Sequence, residues 1–320
     1  MKRIIGLRYF SVIAILAGLL QGGTVFGFDQ PSVNLGFTSF LDGGPPAGPG
    51  WYLSQYIQYY NSDEFAANDG SEFRIGGKMP DLDAWVSLTQ LIYQSDTPVL
   101  AGGKWGLDVI VPHANLDLSP DPLGPLSAND SGFGDLLVGP FIQWEPIMGE
   151  NGTVFMHRIE FQMIFPTGDY DQNRALNPGS NFFSFNPYWA GTFFITPQWT
   201  CSWRLHYLWN DKNNDPNQML YPGASDQQPG QAIHANFSSA YELIPKILHI
   251  GINGYYLKQI TDSKIDGEDV SGRERVLGIG PGISLHLSKD LHVFANYYTE
   301  TLAESRPEGE RLNLRLVYHF

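Results

Sequence analysis

The chain ends Leu312-Asn313-Leu314-Arg315-Leu316-Val317-Tyr318-His319-Phe320, and the fold turns on how these nine residues are read. In an extended strand, successive side chains point to opposite faces. Leu312, Leu314, Leu316, Tyr318 and Phe320 therefore share one side, with Asn313, Arg315, Val317 and His319 on the other. One face is apolar and the other mostly polar. A half-buried edge strand of a soluble protein would look the same, but here the sequence stops on an aromatic residue with no polar tail.

That ending resembles the closing strand of outer-membrane β-barrels. The resemblance implies that Tyr318 and Phe320 act as an insertion signal for the barrel-assembly machinery. The beginning of the chain agrees. Lys2, Arg3 and Arg8 form a basic region, Phe10 to Leu20 an apolar one, and Val25-Phe26-Gly27 a cleavage site, which together predict a cleaved signal peptide over residues 1–27. The apolar run is short of the ~20 residues a spanning helix needs.

After Gly27 no run of about 18 apolar residues remains, so a transmembrane helix is not expected. A barrel can still span, because only every second residue must face lipid. Nineteen Lys and Arg stand against 33 Asp and Glu, a net charge of -14. Loss of the three leader bases would take the chain to -17. Such an acidic chain is not expected to bind nucleic acid. Cys201 is the single cysteine, which excludes an internal disulfide.

Residues 28–50 stand apart. They include Leu41-Asp42-Gly43-Gly44-Pro45-Pro46-Ala47-Gly48-Pro49-Gly50, a glycine and proline run that cannot sustain a strand ladder. The segment is either a periplasmic lead-in, the reading we favour, or a plug folded into a barrel formed by residues 51–320.

From Trp51 onward, segments of about ten residues carry the period of a strand. They fall near residues 51–60, 83–93, 104–111, 134–144, 156–165, 188–195, 199–209, 232–243, 248–259, 275–287, 291–300 and 312–320. The expected fold is all-β, an antiparallel transmembrane outer-membrane β-barrel of about 12 strands. Two segments are especially regular. Ile159, Phe161, Met163 and Phe165 alternate with Arg158, Glu160, Gln162 and Ile164, the last interrupting the polar face. Trp199, Cys201, Trp203, Leu205, Tyr207 and Trp209 alternate with Thr200, Ser202, Arg204, His206 and Leu208. Long and short connections also alternate, as barrels with one loop end and one turn end require. Residues 303–310, 261–274, 210–231, 166–187 and 112–133 read as long loops, whereas 288–290, 244–247 and 196–198 read as short turns.

Inward phasing nominates Arg158, Glu160, Arg204, His206, His234, Glu242, Arg315 and His319 as lumen-lining residues. The inward phase of residues 291–300 adds Phe294 and Tyr298, so the lumen is not purely polar. No catalytic residue or cofactor is indicated. Ser202 and His206 lie roughly 13 Å apart along one strand, too far to pair. Asp211, Asn213 and Asp215 imitate a calcium loop, but Pro216 stands where glycine is needed, and no metal site is expected. Gly278-Ile279-Gly280-Pro281-Gly282 opens no helix and reads as bends or close backbone contacts.

Several stretches resemble a family of outer-membrane proteins associated with the meta-cleavage pathway of phenol degradation. They are Thr38-Ser39-Phe40-Leu41-Asp42-Gly43-Gly44-Pro45-Pro46, Pro166-Thr167-Gly168-Asp169-Tyr170, Tyr207-Leu208-Trp209-Asn210, Gly254-Tyr255-Tyr256-Leu257-Lys258-Gln259 and residues 273–282. The resemblance implies a barrel that helps hydrophobic aromatic compounds enter a Gram-negative cell for catabolism, and it brings no functional residues with it. The expected function is an outer-membrane channel for hydrophobic, aromatic small molecules. Its partners would be outer-membrane lipid, lipopolysaccharide and that solute. The alternatives are a surface-interaction barrel without transport and a diffusion porin for polar solutes.

Overall fold

The structure, a computed structural model, describes residues 30–45, 47–74, 79–119, 131–174, 176–218 and 220–320. The expected leader, residues 1–27, lies outside the described residues. Twelve strands build one sheet: β1 (Gly50–Ala66), β2 (Asp81–Pro98), β3 (Lys104–Ser119), β4 (Ser131–Phe133 and Leu136–Gln143), β5 (Gly152–Glu160 and Met163–Phe165) and β6 (Ser184–Phe185 and Tyr188–Thr196). They continue with β7 (Trp199–Asn210), β8 (Ala232–Ile244), β9 (Leu248–Gln259), β10 (Arg275–His286), β11 (Leu291–Glu304) and β12 (Arg306–His319). Each pairs antiparallel with the next. The sheet closes where β12 returns to β1, with Tyr52 opposite His319 and Tyr59 opposite Leu312. Closure leaves no sheet edge unpaired, which is the condition for a sheet to cross lipid. The protein is an outer-membrane β-barrel, as the terminal strand suggests.

Which face points inward follows from β12. Leu312, Leu314, Leu316 and Tyr318 are 42–44% exposed, while Asn313 is fully buried and Arg315 is 9% exposed. Apolar residues outside and polar ones inside invert the pattern of a soluble protein and suit a hydrocarbon surround. Rings mark the edges of this outer belt. Trp51, Tyr93 and Trp105 touch in sequence at the end carrying the short turns, and Tyr59 packs on Trp85 towards the other end. Trp51 and Tyr59 are eight residues apart, about 26 Å along a strand, enough for a tilted strand to cross the apolar layer.

The expected long loop over residues 303–310 is mostly strand. β11 runs to Glu304 and β12 starts at Arg306, with Ser305 at φ 55° making the turn. Pairing of Pro307 with Phe65 and Arg306 with Ala66 carries β1 and β12 beyond the membrane belt. β3 likewise continues to Ser119, opposite Asp81. These extensions carry polar and charged side chains, and in β1 a register shift between Asn61 and Glu64 interrupts the two-residue period, so sequence reading takes them for loop.

Three neighbouring strands are interrupted, at Gly134–Asp135 in β4, Phe161–Gln162 in β5 and Asn186–Pro187 in β6, the last two side by side. The loop between β5 and β6 folds onto the first break. Asp135 accepts hydrogen bonds there from the backbone N–H of Gly168 at 3.0 Å and of Ser180 at 2.8 Å. A Cβ on Gly168 would lie 2.7 Å from the Gly134 carbonyl carbon and 2.8 Å from Gly179 Cα. Only glycine permits that approach.

Candidate functional site

Residues 30–45 and 47–49 of the chain lie against the inward face of the barrel wall. This stretch forms no strand, so its backbone groups need other partners. Inward side chains of the wall supply them. Asn236 Oδ1 accepts from Gly36 N–H at 2.7 Å, Ser202 Oγ from Leu41 N–H at 3.1 Å and Thr192 Oγ1 from Gly43 N–H at 2.8 Å. Asn313 Nδ2, Tyr298 OH, Ser238 Oγ and Gln143 Nε2 donate to the carbonyls of Gly36, Gly36, Ser39 and Gly43. The polar inner face thus substitutes for a strand ladder. These contacts join the described part of the segment to the inward face of β4, β6, β7, β8, β11 and β12. Gly36 has φ +81°, and a Cβ there would sit 2.8 Å from Tyr298.

One charged contact anchors the segment. Arg204 donates from Nε and Nη2 to the two oxygens of Asp42, each at 2.7 Å, and both side chains are about 94% buried. The guanidinium also lies 4.2 Å from the Tyr188 ring centre. Above and below this anchor, Leu35 packs with Tyr255, Leu257, Val276 and Tyr298, and Phe40 with Tyr52, Phe294 and Val317.

The residues expected to line the lumen fall into two groups. Arg158, Glu160, Arg204, His206, His234, Phe294, Tyr298 and Arg315 are all buried inside the barrel. Arg158 donates to Tyr188 OH at 2.5 Å, and Tyr188 OH in turn donates to Glu160. His206 and His234 stack with ring centres 4.0 Å apart, both facing Asn186 Oδ1. Glu242 and His319 sit instead at the end with the short turns. Glu242 accepts from Lys246 N–H at 2.6 Å, while His319 lies between Asp290 and the Pro49 carbonyl. Tyr318 and Phe320, the expected insertion signal, are exposed and stack on each other.

Other residues join this interior, Glu300 from the inward phase of residues 291–300 and two arginines that sequence reading passed over. Glu300 is fully buried and accepts hydrogen bonds from Tyr60 OH at 2.8 Å and Tyr255 OH at 2.7 Å. Arg311 pairs with it at 3.1 Å, and Arg306 lies at 3.8 Å. Alternation in β11 places Glu300 inward, but nothing in the sequence signals that Arg306 and Arg311, read as loop or loop edge, belong to the same interior. Asp42 is likewise invisible as Arg204's partner, 162 residues away.

Beside the inner segment, in the half of the barrel carrying the long loops, lies a cavity of about 280 Å³. One wall is apolar, formed by Leu82, Ala84, Ala114, Leu116 and Ile164 from β2, β3 and β5. Leu35 and Phe37 of the inner segment face it, and Arg306 and Arg311 stand at its polar end. Ile164, the residue that interrupts the polar face of β5 in sequence, is 1% exposed and belongs to this wall.

A family model described as "Putative MetA-pathway of phenol degradation" matches residues 62–316. The chain belongs to this family. Among solved structures, the COG4313 outer membrane channel from Pseudomonas putida F1 is similar at a TM-score of 0.75 and 18% identity, covering 90% of this chain and all of that one. It establishes the shared barrel fold. The translocator domain of the autotransporter NalP from Neisseria meningitidis (TM-score 0.48, 9% identity, covering 97% and 98%) and the CymD monoaromatic hydrocarbon channel (0.41, 7%, covering 86% and 91%) are more distant. Likeness at that level carries no argument for this chain. No curated protein matches the sequence.

Proposed function

We propose that this family member is a channel, not an enzyme, and that it admits compact hydrophobic molecules, aromatic ones foremost, for catabolism. The observation that carries the reading is the cavity under the long loops, apolar on one wall and closed below by Leu35 and Phe37. An apolar cavity of roughly 150 Å³ holds benzene, so about 280 Å³ leaves room for one or two rings. The segment lying against the inner wall supports the same reading, since polar solutes flow through porins whose lumen is open. The inner segment acts as a plug. Outside, the apolar belt meets outer-membrane lipid and lipopolysaccharide, and Tyr318 with Phe320 is the signal read by the barrel-assembly machinery.

The test compares initial uptake of labelled toluene and of a labelled small sugar in cells lacking the protein, before and after it is restored. Recovery of toluene alone is expected, and Leu116→Trp, which fills the cavity, should abolish it. Recovery of the sugar would make the barrel a porin. Recovery of neither, with the barrel confirmed at the surface, would remove transport altogether.

A further inference from the structure

On the outside of the barrel, β9 and β10 change character together where the apolar belt ends. Tyr255 and Leu257 are buried in the lumen, so alternation turns Ile250, Ile252, Tyr256 and Lys258 of β9 outwards. On β10, Val276 and Ser284 are buried, which turns Arg275, Leu277, Ile279 and Ile283 outwards. Register pairs Ile250 with Ile283, Tyr256 with Leu277 and Lys258 with Arg275. Ile250, Ile252, Ile279 and Ile283 are all exposed. From Ile250 to Lys258 is eight residues, about 26 Å along a strand, the same span as from Trp51 to Tyr59. An apolar face thus rises from the short-turn end and stops, at the long-loop end, on a pair of cations.

Directly opposed residues on one face have their Cβ atoms about 5 Å apart. Lys258 and Arg275 therefore hold two positive charges close together, in a chain where acids outnumber bases 33 to 19. Glu304 stands opposite Arg275 on β11 and accepts from its Nη2 at 2.6 Å. Lys258 is exposed and makes no hydrogen bond or ion pair among the described residues, so one positive charge stays unmatched. The rim on β2 and β3 is the reverse. Beyond Trp85, Asp83 stands opposite Asp117, and Asn61 donates to Asp83 at 3.1 Å.

We propose that the outer face of β9 and β10 seats one lipopolysaccharide molecule of the outer leaflet, with its acyl chains along the isoleucines and a lipid A phosphate on Lys258 and Arg275. The proposal rests on the outer-membrane placement of the barrel and deepens the reading of its lipid partner. What the lumen admits does not enter it. Basic residues beside an apolar spanning surface are how membrane proteins recognise anionic head groups. Lysine meets a phosphate as a point charge and arginine as a planar fork. The carboxylates of Asp83 and Asp117 repel the same phosphate, so the lipid is directed to one side of the barrel.

Native mass spectrometry of the assembled barrel, released from detergent micelles with added diphosphoryl lipid A, tests the site. One lipid A per barrel is expected. Lys258→Gln should weaken binding about fivefold, the contribution of one basic residue at a membrane surface, and Lys258→Glu should weaken it further. Asp83→Asn, on the acidic rim, should leave it unchanged. Lys258 faces outwards, and heat-modifiable migration on a gel verifies that its variants assemble. Equal binding by the wild-type barrel and Lys258→Glu overturns the site, as does equal binding of lipid A stripped of its phosphates. Displacement of lipid A by an equal concentration of inorganic phosphate overturns it too, since the cations would then serve free anions. Absence of any lipid A adduct on the wild-type barrel refutes the proposal and leaves the channel reading, which toluene uptake tests, standing.

Discussion

Replacing Asp42 by Asn isolates the charge of the anchor while keeping its shape. Arg204 would then stand about 94% buried with one amide oxygen in place of a carboxylate. Removing one partner of a buried ion pair costs about 3–5 kcal/mol. The lower end applies, because the amide still accepts one hydrogen bond and the Tyr188 ring remains 4.2 Å from the guanidinium. The cost falls on the docked state of residues 30–49 and not on the barrel, whose ladders do not involve Asp42. At 1.4 kcal/mol per decade, about 3 kcal/mol raises the undocked population roughly a hundredfold. Hydrogen exchange reads this directly, since the amides of Gly36, Leu41 and Gly43 are held by side chains of the wall. Their exchange should quicken by about two orders of magnitude, while amides in the β1–β12 pairing stay protected. The Asp42→Asn, Arg204→Gln double variant should lose less than the sum of the single losses. Unchanged exchange at all three amides in assembled Asp42→Asn barrel would refute the anchor.

Three further outcomes follow from the same geometry. Phe320→Ala should lower the amount of heat-modifiable barrel in the outer membrane, and normal levels would count against an insertion role for the terminal aromatic. Gly139→Val should lower stability by about 1–3 kcal/mol, as overpacking does, because a Cβ there lies 2.2 Å from Glu160 Oε1; an unshifted denaturation midpoint would show that Glu160 can move aside. In the loop after β9, hydrogen bonds from Arg273 hold the Asp262 carboxyl below its ordinary value. A depressed carboxyl contributes its stabilisation above the unfolded value and loses it as pH falls through the folded one. Exchange of amides 262–273 should therefore rise in acid below the ordinary carboxylate range, and Asp262→Asn should remove that pH dependence.

The strands were legible because lipid on one side and a packed lumen on the other enforce alternation residue by residue. β12 shows this in its exposures, and β5 shows it even at Ile164, where the exception marks the cavity wall. The ends of the strands were not legible. Arg306 to Arg311 belong to a paired strand, but both arginines reach Glu300 although five residues apart, so the two-residue period is lost there and charge and proline make the strand read as loop. The path of residues 30–49 was hidden for a different reason. A glycine and proline run carries no period, and its partners, Thr192, Ser202, Asn236 and Asn313, look in sequence like any polar lumen face. Inward phasing finds Arg204, but it cannot tell that the cation faces Asp42 from the chain's own N-terminal stretch instead of open water.

That stretch also joins the two halves of the lumen. Leu35 and Phe37 form one side of the apolar cavity, Phe40 approaches Asn253 and Asn296 at Gly282, and Asp42, two residues further on, holds Arg204. Only a few residues separate the cavity wall from the anchor, too short a length for one end to move while the other stays fixed. A solute that displaces Leu35 or Phe37 must strain the Asp42–Arg204 pair, and loss of the pair must loosen the cavity wall. Coupling of this kind is reciprocal in binding free energy. A solute seated in the cavity against the docked segment should therefore slow exchange at Gly43, and Asp42→Asn should weaken binding of that solute by the factor by which it unseats the segment. If solute binding and segment exchange prove independent, the cavity and the plug are separate features of the barrel, and gating by the inner segment is excluded.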